Sequence, residues 1–167
     1  VFALAHLLGI QLMPRIRGIQ DLKFHRPQAG AVYRNINALF SDVIDWQLIE
    51  LHLPAMLRVA VSIKTGKITP SAILRRLGTY SRKNKLYFAF VELGKVIRTM
   101  FLLSYIGDVG LRKVIHAETN KSEQFNGFAQ WSFFGGEGII AENIRHEQRK
   151  VIKYNHLVAN MIILHNV

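Results

Sequence analysis

The sequence predicts a mainly α-helical fold that contains one short strand. Half of the 167 residues are hydrophobic, which is enough apolar surface to bury a core. Apolar residues recur mostly at the spacing of an amphipathic helix. Helix start signals are also present, and the best is Thr69-Pro70, an N-cap residue followed by proline at the first helical position. This length suits one domain, and we predict a single domain over residues 1–167.

The first part of the chain holds the predicted strand. Residues 1–8 have the pattern of a helix end, and Gly9 closes it. Residues 10–16 are predicted to form a short strand, in which Pro14 indicates an edge or an irregularity. Residues 18–33 contain proline and glycine and are predicted to be a loop. Because one strand cannot make a stable sheet, either this strand is misread or its partners lie outside the chain.

The remainder of the chain is predicted to be helical. Asp42 or Asp45 caps a helix that runs to Lys64, and Thr69 starts a helix that ends at Gly78. Four further helices are predicted at about 83–106, 108–117, 120–134 and 141–167. Both ends of the sequence lie inside apolar helical patterns without start or stop signals, so we expect a piece of a longer protein.

The charge balance favours a polyanionic partner. Lys and Arg number 22 against 11 Asp and Glu, a net charge of +11, which suits DNA, RNA or an anionic membrane surface. The absence of cysteine excludes thiolate metal sites and disulfides. The most apolar long stretch, residues 86–106, contains Glu92, Lys95 and Arg98. These charges argue against a membrane span, and we predict no membrane partner.

Glu123 is the candidate catalytic and metal-binding residue. At about 100° per residue, it lies on the helix side opposite Phe125 and Phe128. A carboxylate presented this way beside Lys121 could hold a divalent metal against a phosphate, or it could be a solvated surface glutamate. Lys121 could contact a DNA backbone next to the metal, or it could pair with a surface acid.

Basic residues are concentrated around the turn at Gly78 and are candidate DNA contacts. They are Arg75, Arg76, Arg82, Lys83 and Lys85. Such a cluster can neutralise several phosphates, and the interleaved Tyr80 and Tyr87 could stack on bases. A solvated helix end is the alternative, because cations are favourable near a helix C-terminus. Arg15 and Arg17 would share one face of the predicted strand, where they could approach the substrate or form a structural salt bridge.

Several segments, in their order along the chain, resemble the Tn3 family of replicative bacterial transposases. Asn-Lys-Ser-Glu followed by Phe-Asn-Gly-Phe-Ala-Gln-Trp, residues 120–131, resembles the segment that carries the family's catalytic glutamate. The other matching segments are residues 1–9, 14–17, 68–85, 134–138 and 147–156. The resemblance covers nearly the whole chain.

The resemblance implies a fold and a chemistry. The fold would be part of a ribonuclease-H-like core: the last strand, a helical insertion at about 34–117, and the closing helices. The activity would be metal-dependent DNA strand cleavage and strand transfer in replicative transposition. Glu123 would be the third carboxylate of a site for two magnesium ions, whose two aspartates are expected upstream of Val1.

The resemblance also implies the partners. These would be transposon-end and target DNA, and a second copy of the full-length protein in a homodimer. The implied location is the nucleoid in the bacterial cytoplasm. The alternative is a non-catalytic basic helical domain that binds DNA or another protein. Glu123→Ala in the longer protein discriminates the two, because only the catalytic reading predicts lost strand transfer.

Overall fold

The chain is mainly helical, as predicted. The computed structural model describes residues 1–16, 18, 22–79, 84–133 and 138–167. The elements in these residues are α1 Phe2–Leu7, β1 Phe24–Arg26, a 3-10 turn Asn37–Leu39, β2 Phe40–Val43, α2 Trp46–Lys64, α3 Pro70–Gly78, α4 Lys85–Gly107, α5 Val109–Trp131 and α6 Arg145–Asn166.

The chain divides into two compact units, Val1–Arg112 and Lys113–Val167, with the division inside α5. The prediction of one domain, with a helical insertion at about 34–117, stays a prediction.

The core of the first unit is built around α4. Ala89 is fully buried and Phe90 is nearly so, and they cluster with Leu4 of α1 and with Ile49 and Met56 of α2. Burial of several such side chains, at about 1.5–3 kcal/mol each, provides the main force that holds these helices together.

Side-chain caps place the starts of the helices in the first unit. The Asp45 carboxylate accepts a hydrogen bond from the Leu48 N–H at 2.9 Å, and the Thr69 hydroxyl accepts one from the Ala72 N–H at 3.4 Å. These two caps confirm the starts predicted for α2 and α3. Gly66, which follows α2, has a φ of +72°, a conformation that ends helices and that glycine adopts without strain.

The predicted strand at residues 10–16 is wrong. These residues form no regular element, and Gln11, Met13 and Pro14 are exposed. The strands are instead β1, inside the segment predicted as a loop, and β2. The reason is burial: Phe24 is fully buried and Phe40 is nearly so, and their rings lie 5.4 Å apart.

The two strands pair in parallel, with Phe24 opposite Phe40 and Arg26 opposite Val43. Each of the two strands therefore has a partner within the chain. The backbone N–H of His25 donates to Thr99 Oγ1 at 3.1 Å, which attaches β1 to α4.

The second unit contains most of α5 and all of α6. The prediction of two separate helices around residues 108–134 is wrong, because α5 is one continuous helix of 23 residues. Thr119 and Ser122 do not break it, since their hydroxyls donate to the carbonyls of Ile115 and Glu118, one turn earlier. The last helix starts at Arg145, later than predicted.

Packing between α5 and α6 includes one buried polar contact. Asn155 is 6% exposed, and its side-chain amide donates to the Ala129 carbonyl at 3.4 Å. In the described part of the chain, no helix is long and apolar enough to cross a membrane.

Candidate catalytic helix and nucleic-acid interface

Glu123 lies on the exposed side of α5. Asp108 caps the start of this helix, because its carboxylate accepts a hydrogen bond from the Leu111 N–H at 3.0 Å. The Glu123 side chain is exposed, Phe128 is half-buried, and Phe125 is 47% exposed. Helical geometry therefore presents the carboxylate away from the two phenylalanines, and a long regular helix fixes its position.

Lys121 is engaged with a neighbouring acid. Its Nζ donates to Glu118 Oε1 at 2.6 Å, and both side chains are more than half exposed. Of the two alternatives, the surface ion pair is the one the structure shows. An exposed pair is worth at most about 1 kcal/mol, so Lys121 can exchange Glu118 for a phosphate at little cost.

The described residues do not fit a metal site by themselves. Within residues 1–16, 18, 22–79, 84–133 and 138–167, no group of three or more His, Asp or Glu side chains could hold a metal ion. Asp45 and Asp108 are already used as helix caps. Among the described residues, Glu123 therefore belongs to no cluster that could hold a metal ion.

Three of the predicted DNA contacts lie on two consecutive helices. Arg75 and Arg76 are exposed in the last turn of α3, and Lys85 is exposed at the first position of α4. Arg75 and Arg76 also lie near the negative end of the α3 dipole, which stabilises them there. Arg82 and Lys83 lie outside the described residues.

Arg15 does not lie on a strand, so the predicted strand face is wrong for this residue. The prediction needed a strand over residues 10–16, and this segment is irregular. Arg15 is half-buried, and Arg17 lies outside the described residues.

His25 is a buried polar residue that sequence reasoning missed. It is 9% exposed, it lines two cavities of about 300 and 320 Å³, and its Nδ1 has no hydrogen-bond partner among the described residues. Burial lowers the pKa of the His25 imidazole below 6.5, and the positive charge of Lys95 lowers it further. Its burial depends on the packing of β1 against α4, which local sequence patterns do not show.

The class of protein follows from comparison with known families. The family model described as "Tn3 transposase DDE domain" matches residues 1–167. The transposase for transposon Tn21 of Escherichia coli is 39% identical over 166 residues, which are 99% of this chain and 17% of that relative. The transposase for transposon Tn501 of Pseudomonas aeruginosa has the same identity and coverage. The transposase for transposon Tn1546 of Enterococcus faecium is 36% identical over 167 residues, again with 99% and 17% covered.

The chain belongs to the Tn3 transposase DDE-domain family. It spans 17% of the length of these three relatives. The comparison with solved structures gives no significant match.

Proposed function

We propose that this chain is part of a longer DNA transposase that catalyses metal-dependent strand cleavage and strand transfer in replicative transposition. The observation that carries the proposal is the family match over the entire chain. The named relatives are transposases of transposons from different bacteria. Because the chain spans 17% of their length, the activity belongs to the longer protein.

Glu123 is the catalytic residue of the proposal. Its exposure on α5 allows its carboxylate to reach a ligand outside the helix. Magnesium binds carboxylates, waters and phosphate oxygens together. Two bound magnesium ions would activate the nucleophile and stabilise the leaving oxygen. The proposed fold of the longer protein is a ribonuclease-H-like core, to which this chain adds a helical insertion at about 34–117 and the closing helices.

DNA is the proposed partner, bound mainly through its phosphates. The basic cluster at the α3–α4 corner would contact the backbone, and Lys121, Arg15 and Arg17 would contact it near the reacting strand. A net charge of +11 supports such binding. The proposal also includes a homodimer of the longer protein that acts at the bacterial nucleoid.

The test is Glu123→Gln in the longer transposase, which keeps the side-chain size and removes the charge. Strand transfer to labelled target DNA should fall by about a thousandfold, since a metal contributes several kcal/mol of transition-state stabilisation. DNA affinity and thermal stability should stay nearly unchanged, because exposed substitutions usually cost under about 0.5 kcal/mol.

The matched control is Glu118→Gln, which makes the same change at an exposed position five residues earlier on α5. It should retain strand transfer. Full activity in the Glu123→Gln variant would contradict the catalytic role and leave the non-catalytic DNA-binding domain as the explanation.

A further inference from the structure

Three basic residues form a row along α6. Arg145, Arg149 and Lys153 are spaced four residues apart, and all three side chains are exposed. Each step of four residues turns the helix by only about 40° beyond a full turn, so the three lie along one side. The buried residues of α6 are Asn155 and Ala159. Lys153 lies about 160° and Arg149 about 120° around the helix from Asn155, whereas Arg145 lies about 40° from Ala159. The row therefore runs from the edge of the packed side to the opposite side of the helix, and all three side chains are exposed.

The charges of this row are not neutralised by the described part of the protein. There, none of the three residues forms an ion pair. The acid of α6 that does form one, Glu147, is bonded to Lys150 at 2.8 Å, and Glu147 lies about 120° to 160° around the helix from each member of the row. The row is therefore a continuous strip of positive charge.

This arrangement costs the isolated helix some stability. Like charges four residues apart on a helix are destabilising by about 0.2–0.5 kcal/mol per pair, and the row contains two such pairs. By contrast, Lys121 of α5 and Lys150 of α6 are each paired with a glutamate three residues earlier. A polyanion bound along the row would turn this repulsion into a net attraction.

The length of the row suits a DNA strand. Eight residues of helix separate its ends, a rise of about 12 Å. Phosphates follow one another along a strand at about 3.4 Å of helix axis, so three contacts can be made within this length. Arginine guanidinium groups also match phosphate oxygens in pairs of parallel hydrogen bonds.

We propose that Arg145, Arg149 and Lys153 form a DNA-backbone track on α6, additional to the basic cluster of α3 and α4. The track holds duplex DNA through phosphates and reads no base. This inference rests on the proposed function, because DNA is the polyanion that a transposase handles.

The test is a triple variant of the longer transposase, Arg145→Gln, Arg149→Gln and Lys153→Gln. Its affinity for a labelled transposon-end duplex and for an unrelated duplex is measured between about 50 and 200 mM salt. The slope of log affinity against log salt should become shallower by about 0.9 for each lost phosphate contact, or about 2.7 in total. Both duplexes should lose affinity to a similar extent.

Two variants make the result specific. Arg58→Gln removes one exposed cation from α2, outside the row and outside the α3 cluster, and should leave the salt slope unchanged. Arg75→Ala with Arg76→Ala tests the α3 cluster, and its effect on the slope should add to that of the triple variant. Thermal unfolding should show the triple variant to be at least as stable as the parent, since the substitutions remove repulsion.

The outcomes separate this inference from the proposed function. An unchanged slope in the triple variant overturns the track, whatever Glu123→Gln does to strand transfer. A shallower slope with normal activity of Glu123→Gln keeps the track and contradicts the catalytic assignment. Lost binding to vesicles of anionic lipid, with DNA binding intact, would identify the row as a membrane contact and also overturn the track.

Discussion

Arg26 organises the segment that connects the two strands. Its Nη1 donates to the carbonyls of Phe40 and Ser41 at 3.0 and 2.7 Å, and its Nε donates to the Ala31 carbonyl at 3.2 Å. Its Nη2 donates to the backbone and side-chain oxygens of Asn37. One guanidinium thus satisfies carbonyls on both sides of the connection, which a lysine with its single nitrogen cannot do.

Arg26→Ala should loosen this connection. Several half-buried carbonyls would lose their partner, at a cost of about 2–4 kcal/mol in local stability. Trypsin cleavage after the exposed Arg34 should then become at least about tenfold faster, since 1.4 kcal/mol corresponds to a factor of ten. Arg58→Ala, an exposed change on α2, is the control and should leave the cleavage rate unchanged. Equal rates in all three proteins would show that Arg26 does not hold the connection.

His25 makes the stability of the first unit depend on pH. Burial is the main cause that lowers the pKa of this imidazole below 6.5, and Lys95 adds to the effect. As the pH falls through 6.5, the unfolded chain therefore takes up a proton before the folded chain does. The contribution of His25 to the free energy of unfolding is fully present above this range, and it is lost progressively as the pH falls towards the folded-state pKa.

His25→Phe should remove this part of the pH dependence. Phenylalanine keeps approximately the ring volume of the histidine side chain. When the pH is lowered from about 7 to about 5, the urea midpoint of the unmodified protein should fall by more than the urea midpoint of the variant. His146→Phe replaces an exposed histidine and serves as the control. A variant whose midpoint changes as steeply as that of the parent would exclude His25 as the group responsible.

At the scale of elements, helix starts could be predicted because they depend on a few neighbouring residues. Asp45 and Thr69 accept hydrogen bonds from the N–H three residues later, and this chemistry is visible in the sequence. The length of α5 could not be predicted in the same way. Thr119 and Ser122 are frequent in turns, and only the structure shows their hydroxyls bonded within the helix.

The strands could not be predicted because their cause is not local. Ile10 and Ile16 follow a strand-like alternation, yet Ile10 is 54% exposed and its segment is irregular. β1 exists because Phe24 is buried against Phe40, and Arg26 bonds across to the same strand. These contacts join residues more than a dozen positions apart, which the periodicity of a short window does not contain.

Part of the candidate site could also be predicted from the sequence, and part of it could not. The helical period indicated the exposed face that carries Glu123, and the structure has Glu123 exposed. The partner of Lys121 depends on side-chain packing, and the sequence left it open. The row on α6 was present in the sequence as a four-residue spacing, but its exposure and its lack of ion pairs among the described residues needed the structure.

At the scale of the whole molecule, the isolated 167-residue chain should be catalytically inactive. Two metal ions about 4 Å apart need several carboxylates to offset their charge. No group of three such ligands occurs in the described residues, and the chain spans only 17% of its relatives. The measurement is cleavage of labelled transposon-end DNA with magnesium or manganese, for the chain alone and for the longer transposase.

The expected result is cleavage by the longer transposase and none by the isolated chain, although the chain should still bind the DNA through its positive charge. Cleavage by the chain that disappears on Glu123→Gln would show that the missing ligands lie within its own acids.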